Sequence, residues 1–297
     1  MENIEKLLAA ELGAKEEYII NVVKLLDEGN TIPFIARYRK ELHGAMDDTA
    51  LRTLEERLNY LRNLQKRRDE VKHSIEEQGK LTDELSAAID SAKTLAEVED
   101  LYRPYKQKRR TRATVAREKG LGPLAEEIFR QEKDMPELSE LAAAYIDPEK
   151  GVETLEDALA GASDIIAEMV SDSAEARKLL RETVTRKGTL NSKANTEEDT
   201  VYRLYYDFSQ PVYKMQGHQV LAINRGENEE KLKVSVSVMD TDAMPPLVRM
   251  FVTPGRKASE FVRAAVEDSY SRLLFPSIER EIRTMLTDEA SEGAIKN

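Results

Sequence analysis

The stretch from residue 49 to residue 78 constrains the fold of this 297-residue chain most strongly. Its apolar residues recur every three or four positions, which is the period of an α-helix. They are Leu51, Leu54, Leu58, Leu61, Leu64, Val71 and Ile75. A strict seven-residue repeat through Leu54 and Leu61 would next reach Arg68, so the pattern predicts a packed helix and not a coiled coil. At about 1.5 Å per residue the helix is on the order of 45 Å long, which favours an elongated molecule.

Helical spacing continues through most of the chain, and the 34% charged residues and 13 glycines agree with it. Further helices are predicted at 2–12, 15–27, 31–44, 82–93, 94–106, 123–132, 137–145, 154–185, 259–274 and 277–290. Strands are predicted at 220–223 and 232–238, joined by a turn at 224–226. The fold class is therefore mainly α: an elongated multi-helix assembly with helix-turn-helix-like units and one small antiparallel β-hairpin in the C-terminal third.

Four parts are predicted along the chain. Residues 1–190 form a helical N-terminal domain, 191–200 a polar linker, 201–258 a small α/β region with the hairpin, and 259–297 the cut-off start of a central helical region. The helices at 15–27 and 31–44 meet at a short glycine-containing turn. This arrangement fits either a helix-turn-helix unit or an ordinary helical corner, and the sequence leaves both open.

The absence of cysteine excludes disulfides, thiol catalysis and cysteine-ligated metals. The three histidines, His43, His73 and His218, lack metal-site spacing. The run 120–125 matches G-x-G-x-x-A, but a basic stretch precedes it where a dinucleotide site needs a strand. No signal peptide or membrane-spanning run is found. We therefore expect a cytoplasmic protein that is not an enzyme, with no cofactor, metal, membrane or small-molecule substrate.

A dense basic segment, residues 103–119, stands out in a chain whose net charge is −11. One acid, Glu118, accompanies eight cations, so the segment carries +7. The cations are Arg103, Lys106, Lys108, Arg109, Arg110, Arg112, Arg117 and Lys119. Together with Tyr105 and the hydroxyls of Thr111 and Thr114, they suit phosphate contacts and base stacking. The alternative is that these charges pair with the acidic remainder of the chain.

A second, weaker basic set is Arg37, Arg39 and Lys40, with further cations at Arg62, Lys66, Arg67 and Arg68 on the long helix. Ile32 and Ile35 are predicted to face inward, which leaves the basic residues of the helix at 31–44 outward. This is the layout of a recognition helix, and it is equally the layout of an ordinary amphipathic helix.

Three blocks of the sequence occur in a distinctive order: IPFIARYRKE at 32–41, EDLYRPYKQKRRTRAT at 99–114 followed by AREKGL at 116–121, and HQVLAINRGE at 218–227. Together these blocks resemble the Tex family of bacterial transcription accessory proteins. The resemblance implies a role in RNA or transcription. It also implies a longer protein with an RNase H-like domain, helix-hairpin-helix units and a C-terminal RNA-binding β-barrel, none of which lies in this sequence.

Two functions follow as expectations. The first is a non-catalytic N-terminal module that helps to bind RNA or DNA through twelve residues. These are Tyr105, the eight cations of the basic segment, and Arg37, Arg39 and Lys40. The second is a protein-interaction scaffold that docks onto RNA polymerase or the ribosome. The residues themselves do not distinguish RNA from DNA.

Overall fold

A computed structural model describes residues 3–107 and 109–295. The chain divides into two compact units, Met1–Tyr102 and Arg103–Asn297. The described residues are mainly helical with one small antiparallel sheet, as predicted for the fold class.

The first unit is a set of helices around one long member. They are α1 (Ile4–Leu12), α2 (Glu16–Asp27), α3 (Ile32–Tyr38), α4 (Lys40–His43), α5 (Asp48–Glu77), α6 (Asp83–Ser91) and α7 (Leu95–Tyr102). All seven residues of the predicted apolar stripe on α5 are buried. Asp47 begins α5 by accepting a 2.7 Å hydrogen bond from the Ala50 N–H, which satisfies one of the free donors at a helix start.

The single helix predicted at 31–44 is wrong, because the chain forms two helices there. Thr31 caps α3 and Ile32 and Ile35 are buried, as predicted. Arg39 then leaves the helical region with φ −132° and ψ 35°. A four-residue helix, α4, follows and ends at Gly44, whose φ of 62° is the left-handed conformation that glycine adopts without strain.

The second unit combines helices with a three-stranded sheet. Its helices are α8 (Arg112–Glu118), α9 (Gly122–Arg130), α10 (Leu138–Ala143), α11 (Leu155–Asp172), α12 (Ala174–Lys187), α13 (Gly217–Asn228), α14 (Asp240–Phe251), α15 (Ser259–Ser269) and α16 (Phe275–Ile295). Its strands are β1 (Thr189–Ala194), β2 (Asp207–Pro211) and β3 (Leu232–Ser237). The strand order is β2-β1-β3, both pairings are antiparallel, and Leu190 lies opposite Gln210 and Val236.

The predicted hairpin is only half right. Strand β3 lies where alternation predicted it, but 220–223 belongs to helix α13. Val220 and Ile223 are buried three residues apart on one helix face, and a short apolar run does not distinguish this from a strand. The predicted linker at 191–200 begins inside β1, which is the central strand because it hydrogen-bonds to both β2 and β3.

Two of the predicted helix boundaries move. The helix predicted at 154–185 is divided at Ser173, whose side chain caps α12 by accepting from the Ala176 N–H. Near residue 276 the helical path continues from α15 into α16 through a π-helical turn, Tyr270–Leu274. Pro276 follows this turn and has no N–H to donate to the carbonyl four residues earlier.

One hydrophobic core fills the second unit. Side chains from α8, α9, α11, α12, α15, α16 and the sheet contribute to it. None of the helices in the described ranges is both long and apolar enough to cross a bilayer.

Candidate nucleic-acid interface

The basic segment is shaped by a 3₁₀ turn at Arg103–Tyr105 and by helix α8. Thr111 caps α8: its Oγ1 accepts from the Thr114 N–H at 3.1 Å and donates to Glu168 at 2.8 Å. The Thr114 hydroxyl lies 2.9 Å from that of Thr111. Both hydroxyls therefore take part in hydrogen bonds within the fold.

Helix α8 packs closely on α11 because of small residues at their crossing. A methyl group added at Gly161 would overlap the Leu121 side chain and lie 3.3 Å from the Ala116 Cβ. The absence of a side chain at Gly161 therefore permits the close approach of the two helices. The packing fixes the basic segment along the length of α11.

Two open clefts flank Thr111 along this junction. The first is lined by Arg103, Lys106, Arg109, Glu168 and Asp172, among others. The second, about 500 Å³ in volume, is lined on one side by Arg110, Arg112 and Lys119 and on the other by Asp157 and Asp164. In both clefts the cations come mainly from the basic segment and the carboxylates from α11.

Among the described cations of the segment, Arg103 and Arg110 each lie against a carboxylate. Arg103 is partly buried and its Nε lies 3.3 Å from Asp172 Oδ1, without the geometry of a hydrogen bond. Burial, and then the nearby Arg177 guanidinium, lower the pKa of Arg103. Arg110 pairs with Glu118 at 3.2 Å, in a position open to solvent. For these two residues the charge-pairing alternative is realised.

Other cations of the segment point to solvent. Arg109, Arg112 and Arg117 are exposed, and across the ranges 3–107 and 109–295 they make no ion pair within 4 Å. Lys106 is exposed, while Lys119 and Tyr105 are partly buried. Lys108 lies outside the described residues. The segment thus divides into cations that anchor it and cations that face outward.

The fold adds one cation that sequence reasoning missed. A methyl group at Gly120 would lie 3.5 Å from the Lys150 Nζ, and one at Gly151 would lie 3.4 Å from the Lys119 Cε. Lys150 is exposed and thirty positions from Gly120 in sequence. No local pattern could have shown that the two turns lie side by side.

The carboxylates of α11 moderate the positive potential of the second cleft. Burial raises the pKa of Asp164, against the opposing effect of Arg272 and Arg112. Its Oδ1 lies 3.8 Å from the Arg272 guanidinium. Asp157 accepts the N–H groups of Glu153 and Thr154 in a capping box. The carboxylates are therefore occupied by partners of their own.

The second basic set is divided in the same way. Arg37 and Lys40 are exposed, and Arg39 is partly exposed at the break between α3 and α4. On α5, by contrast, Arg62 binds Asp27 at 2.7 Å and Arg67 binds Glu99 at 2.5 Å. Arg68 donates to the Ala92 carbonyl. The long helix uses these cations within the first unit.

The structure places the remaining sequence candidates on helices. Gly122 and Pro123 open α9, and helix α8 precedes them where a dinucleotide site needs a strand. His43 is buried at the end of α4, while His73 and His218 are exposed on helices. Within the part of the chain that the structure describes, no group of three or more histidine, aspartate or glutamate side chains is placed to hold a metal ion.

Comparison with known proteins finds two family models. Residues 2–76 match the Tex-like protein N-terminal domain, and residues 133–297 match the Tex central region-like family. The central-region match therefore starts well before residue 259, where the sequence placed the beginning of a central region. The basic segment lies between the two matched stretches.

Relatives match over nearly the whole chain. Bacillus subtilis YdcI is 45% identical over 98% of this chain and 41% of its own length. The transcriptional accessory protein Tex of Neisseria gonorrhoeae is 36% identical over 99% of this chain and 39% of its own. The human S1 RNA-binding domain-containing protein 1 is 31% identical over 93% of this chain and 29% of its own. The chain thus spans well under half the length of these relatives.

Proposed function

The chain belongs to the Tex family, and from this premise we propose that it is a non-catalytic module of a transcription accessory protein that contributes to nucleic-acid binding. A role in transcription would place it in the bacterial cytoplasm. The names of two relatives, a transcriptional accessory protein and an S1 RNA-binding domain-containing protein, support this direction.

The observation that carries the proposal is the outward set of cations on the basic segment. Arg109, Arg112 and Arg117 keep their charge exposed in a chain with a net charge of −11. Guanidinium groups bind phosphate oxygens with two parallel hydrogen bonds, and neutralising phosphates releases counterions, which favours binding. Lys119 and Lys150 extend the set, while Arg103 and Arg110 position it through their carboxylate partners.

Salt-dependent binding tests this proposal. Arg109→Ala, Arg112→Ala and Arg117→Ala are combined in one variant, and its affinity for single-stranded RNA and duplex DNA is measured over a range of salt concentrations. Each lost phosphate contact reduces the slope of log affinity against log salt by about 0.7 to 0.9. We therefore expect a slope smaller by about 2 to 3 and weaker binding throughout.

The matched control removes three paired cations of the first unit: Arg57→Ala, Arg62→Ala and Lys72→Ala. Each of these pairs with a carboxylate, Glu11, Asp27 or Asp90, and the net charge changes equally. We expect a slope close to that of the unchanged protein. If both triple variants behave alike, general charge accounts for binding and the basic segment is not the contact. Metal-dependent nuclease activity in the purified chain would contradict a non-catalytic role.

A second function, a protein-docking scaffold, is favoured by the connection between β1 and β2. Val201 is 86% exposed and Leu204 is 78% exposed. Exposed acids precede them at Glu197, Glu198 and Asp199. Apolar side chains that protrude beside acids fit a partner protein with an apolar pocket and a basic rim.

This second function is tested with purified bacterial RNA polymerase and purified ribosomes. Val201→Ser with Leu204→Ser should weaken binding at least tenfold. Tyr213→Ser with Met239→Ser, which alters two other residues that are 63% and 68% exposed, should leave binding unchanged. If neither particle binds the unchanged chain, or if both variants bind as it does, the scaffold function fails.

A further inference from the structure

Helix α3 presents two aromatic rings in contact on its accessible side. Phe34 and Tyr38 are four residues apart, so they lie on the same face of the helix. Their ring centroids are 5.2 Å apart with an angle of 44° between the planes. Tyr38 is 55% exposed although it carries a large aromatic ring. The buried residues of α3 are Ile32 and Ile35, whereas Phe34 is half-buried.

Two guanidinium groups frame the rings. The Arg37 guanidinium lies 5.5 Å from the Tyr38 ring centroid, and that of Arg39 lies 5.4 Å from the Phe34 ring centroid. The Arg39 Nη1 also donates to the Tyr38 carbonyl at 3.3 Å. Arg39 lies at the break between α3 and α4. The result is a cluster of four planar groups, two aromatic and two cationic.

Charge distinguishes this cluster from the other basic residues of the first unit. Arg57, Arg62, Arg67 and Lys72 each bind a carboxylate. Over the ranges 3–107 and 109–295, Arg37, Arg39 and Lys40 make no ion pair within 4 Å. Cations that only stabilise a fold are expected to be paired in this way. Here the fold leaves Arg37, Lys40 and the Tyr38 side chain exposed to solvent.

We propose that Phe34, Tyr38, Arg37 and Arg39 form a stacking site for an unpaired nucleobase, with Lys40 contacting an adjacent phosphate. Aromatic faces and guanidinium planes bind bases of any sequence by stacking. A duplex does not offer the face of a base, so the ligand is a single strand. That the ligand is a nucleic acid rests on the proposed function. The stacking site itself does not involve the basic segment.

The full chain is tested with three probes of equal length: single-stranded oligoadenylate, the same backbone without bases, and duplex DNA. Stacking on one aromatic residue contributes about 5- to 150-fold in affinity. Tyr38→Ala should weaken binding to oligoadenylate by that factor, with an unchanged salt slope and unchanged affinity for the other two probes. Tyr38→Phe should bind as the unchanged chain does, because it keeps the ring.

Tyr213→Ala is the matched control. Tyr213 is 63% exposed, and the Lys214 ammonium lies 5.6 Å from its ring centroid. It therefore matches Tyr38 in exposure and in its neighbouring cation, and it belongs to the other unit. Its removal should change binding to none of the probes. An equal loss for Tyr38→Ala and Tyr213→Ala would overturn the assignment.

A spectroscopic readout separates stacking from a structural role. The chain contains no tryptophan, so Tyr38→Trp introduces a single tryptophan, which can be excited selectively and keeps an aromatic ring at the site. Its fluorescence should be quenched by oligoadenylate and not by the backbone without bases. Equal quenching by polyglutamate would make the cluster a site for acidic protein segments and would overturn the assignment.

The two proposals fail in different ways. If the unchanged chain binds no nucleic acid, both fail. If it binds oligoadenylate, Tyr38→Ala has no effect and the tryptophan is not quenched, the stacking site fails. In that case the alanine variant of Arg109, Arg112 and Arg117 still decides the role of the basic segment.

Discussion

At the scale of single residues, a fully buried arginine joins two helices of the second unit. Arg177 on α12 is 1% exposed and donates to Glu281 at 2.6 Å and to Ser277 Oγ at 2.8 Å, both on α16. Arg181 binds the other oxygen of Glu281 at 2.9 Å. A buried guanidinium is tolerated only while its partners compensate for lost hydration.

Loss of the carboxylate should therefore be costly. We expect Glu281→Ala to lower the free energy of unfolding by about 3 to 5 kcal/mol, since it leaves a buried charge without its main partner. Asp268→Ala removes a carboxylate 2.9 Å from Arg272, whose side chain is more exposed than that of Arg177, and should cost below about 1 kcal/mol. Urea unfolding monitored by circular dichroism measures both. Similar losses for the two variants would contradict the assigned importance of burial.

Tyr270 gives the second unit a dependence on alkaline pH. Burial, and then the charge of Asp240, raise the pKa of Tyr270 to about 12. In the unfolded chain a tyrosine ionises near pH 10. The folded state therefore binds the proton more tightly, and the stability that this provides is complete below pH 10 and is lost as the pH rises toward 12. We expect the free energy of unfolding to fall less between pH 10 and 12 for Tyr270→Phe than for the unchanged protein. Urea unfolding at a series of pH values measures both. Identical pH profiles would contradict the raised pKa.

At the scale of elements, the junction of α8 and α11 depends on one glycine. We expect Gly161→Ala to destabilise the second unit by about 1 to 3 kcal/mol, because the added methyl meets Leu121 in a filled core. Gly293→Ala is the matched change in open space on α16, where alanine favours a helix, and it should be neutral or slightly stabilising. Thermal unfolding compares the two. A neutral Gly161→Ala would show that the junction yields easily.

Most elements follow from local pattern, and the exceptions have identifiable causes. The stripe on α5 and the alternation in β3 predicted their elements correctly, because burial on one face repeats with the period of the backbone. Strand β1 was missed because its buried residues, Leu190 and Ser192, include a polar one. Helix α8 was missed because its charges dominate its short sequence.

At the scale of the whole molecule, the division of the chain differs from the one predicted. The compact units meet at residues 102 and 103, whereas the sequence placed a boundary at 191–200. A polar stretch suggested the linker, but long-range pairing makes part of it the middle strand of a sheet.

Fragments cut at the two boundaries should behave differently. Residues 1–102 and 103–297 are expected to fold separately, with circular dichroism spectra that add up to that of the full chain. A cut between 190 and 191 divides strand β1 and separates α11 and α12 from the core residues of α15 and α16. We expect that pair of fragments to lose most of its cooperative unfolding. Cooperative folding of residues 191–297 alone would contradict the division.

The sequence by itself determined the helical class, the long α5, the position of the basic segment and the Tex family, because these depend on spacing and composition along the chain. Tertiary structure decided which cations are used inside the fold and which face solvent. Arg103 and Arg109 are the same residue type in the same basic segment. Arg103 nevertheless pairs with Asp172, sixty-nine positions away, whereas Arg109 is exposed. Such pairings, like the approach of Lys150 to Gly120, arise only when distant helices pack. The basic segment was therefore visible in the sequence, while its accessible face was defined by the fold.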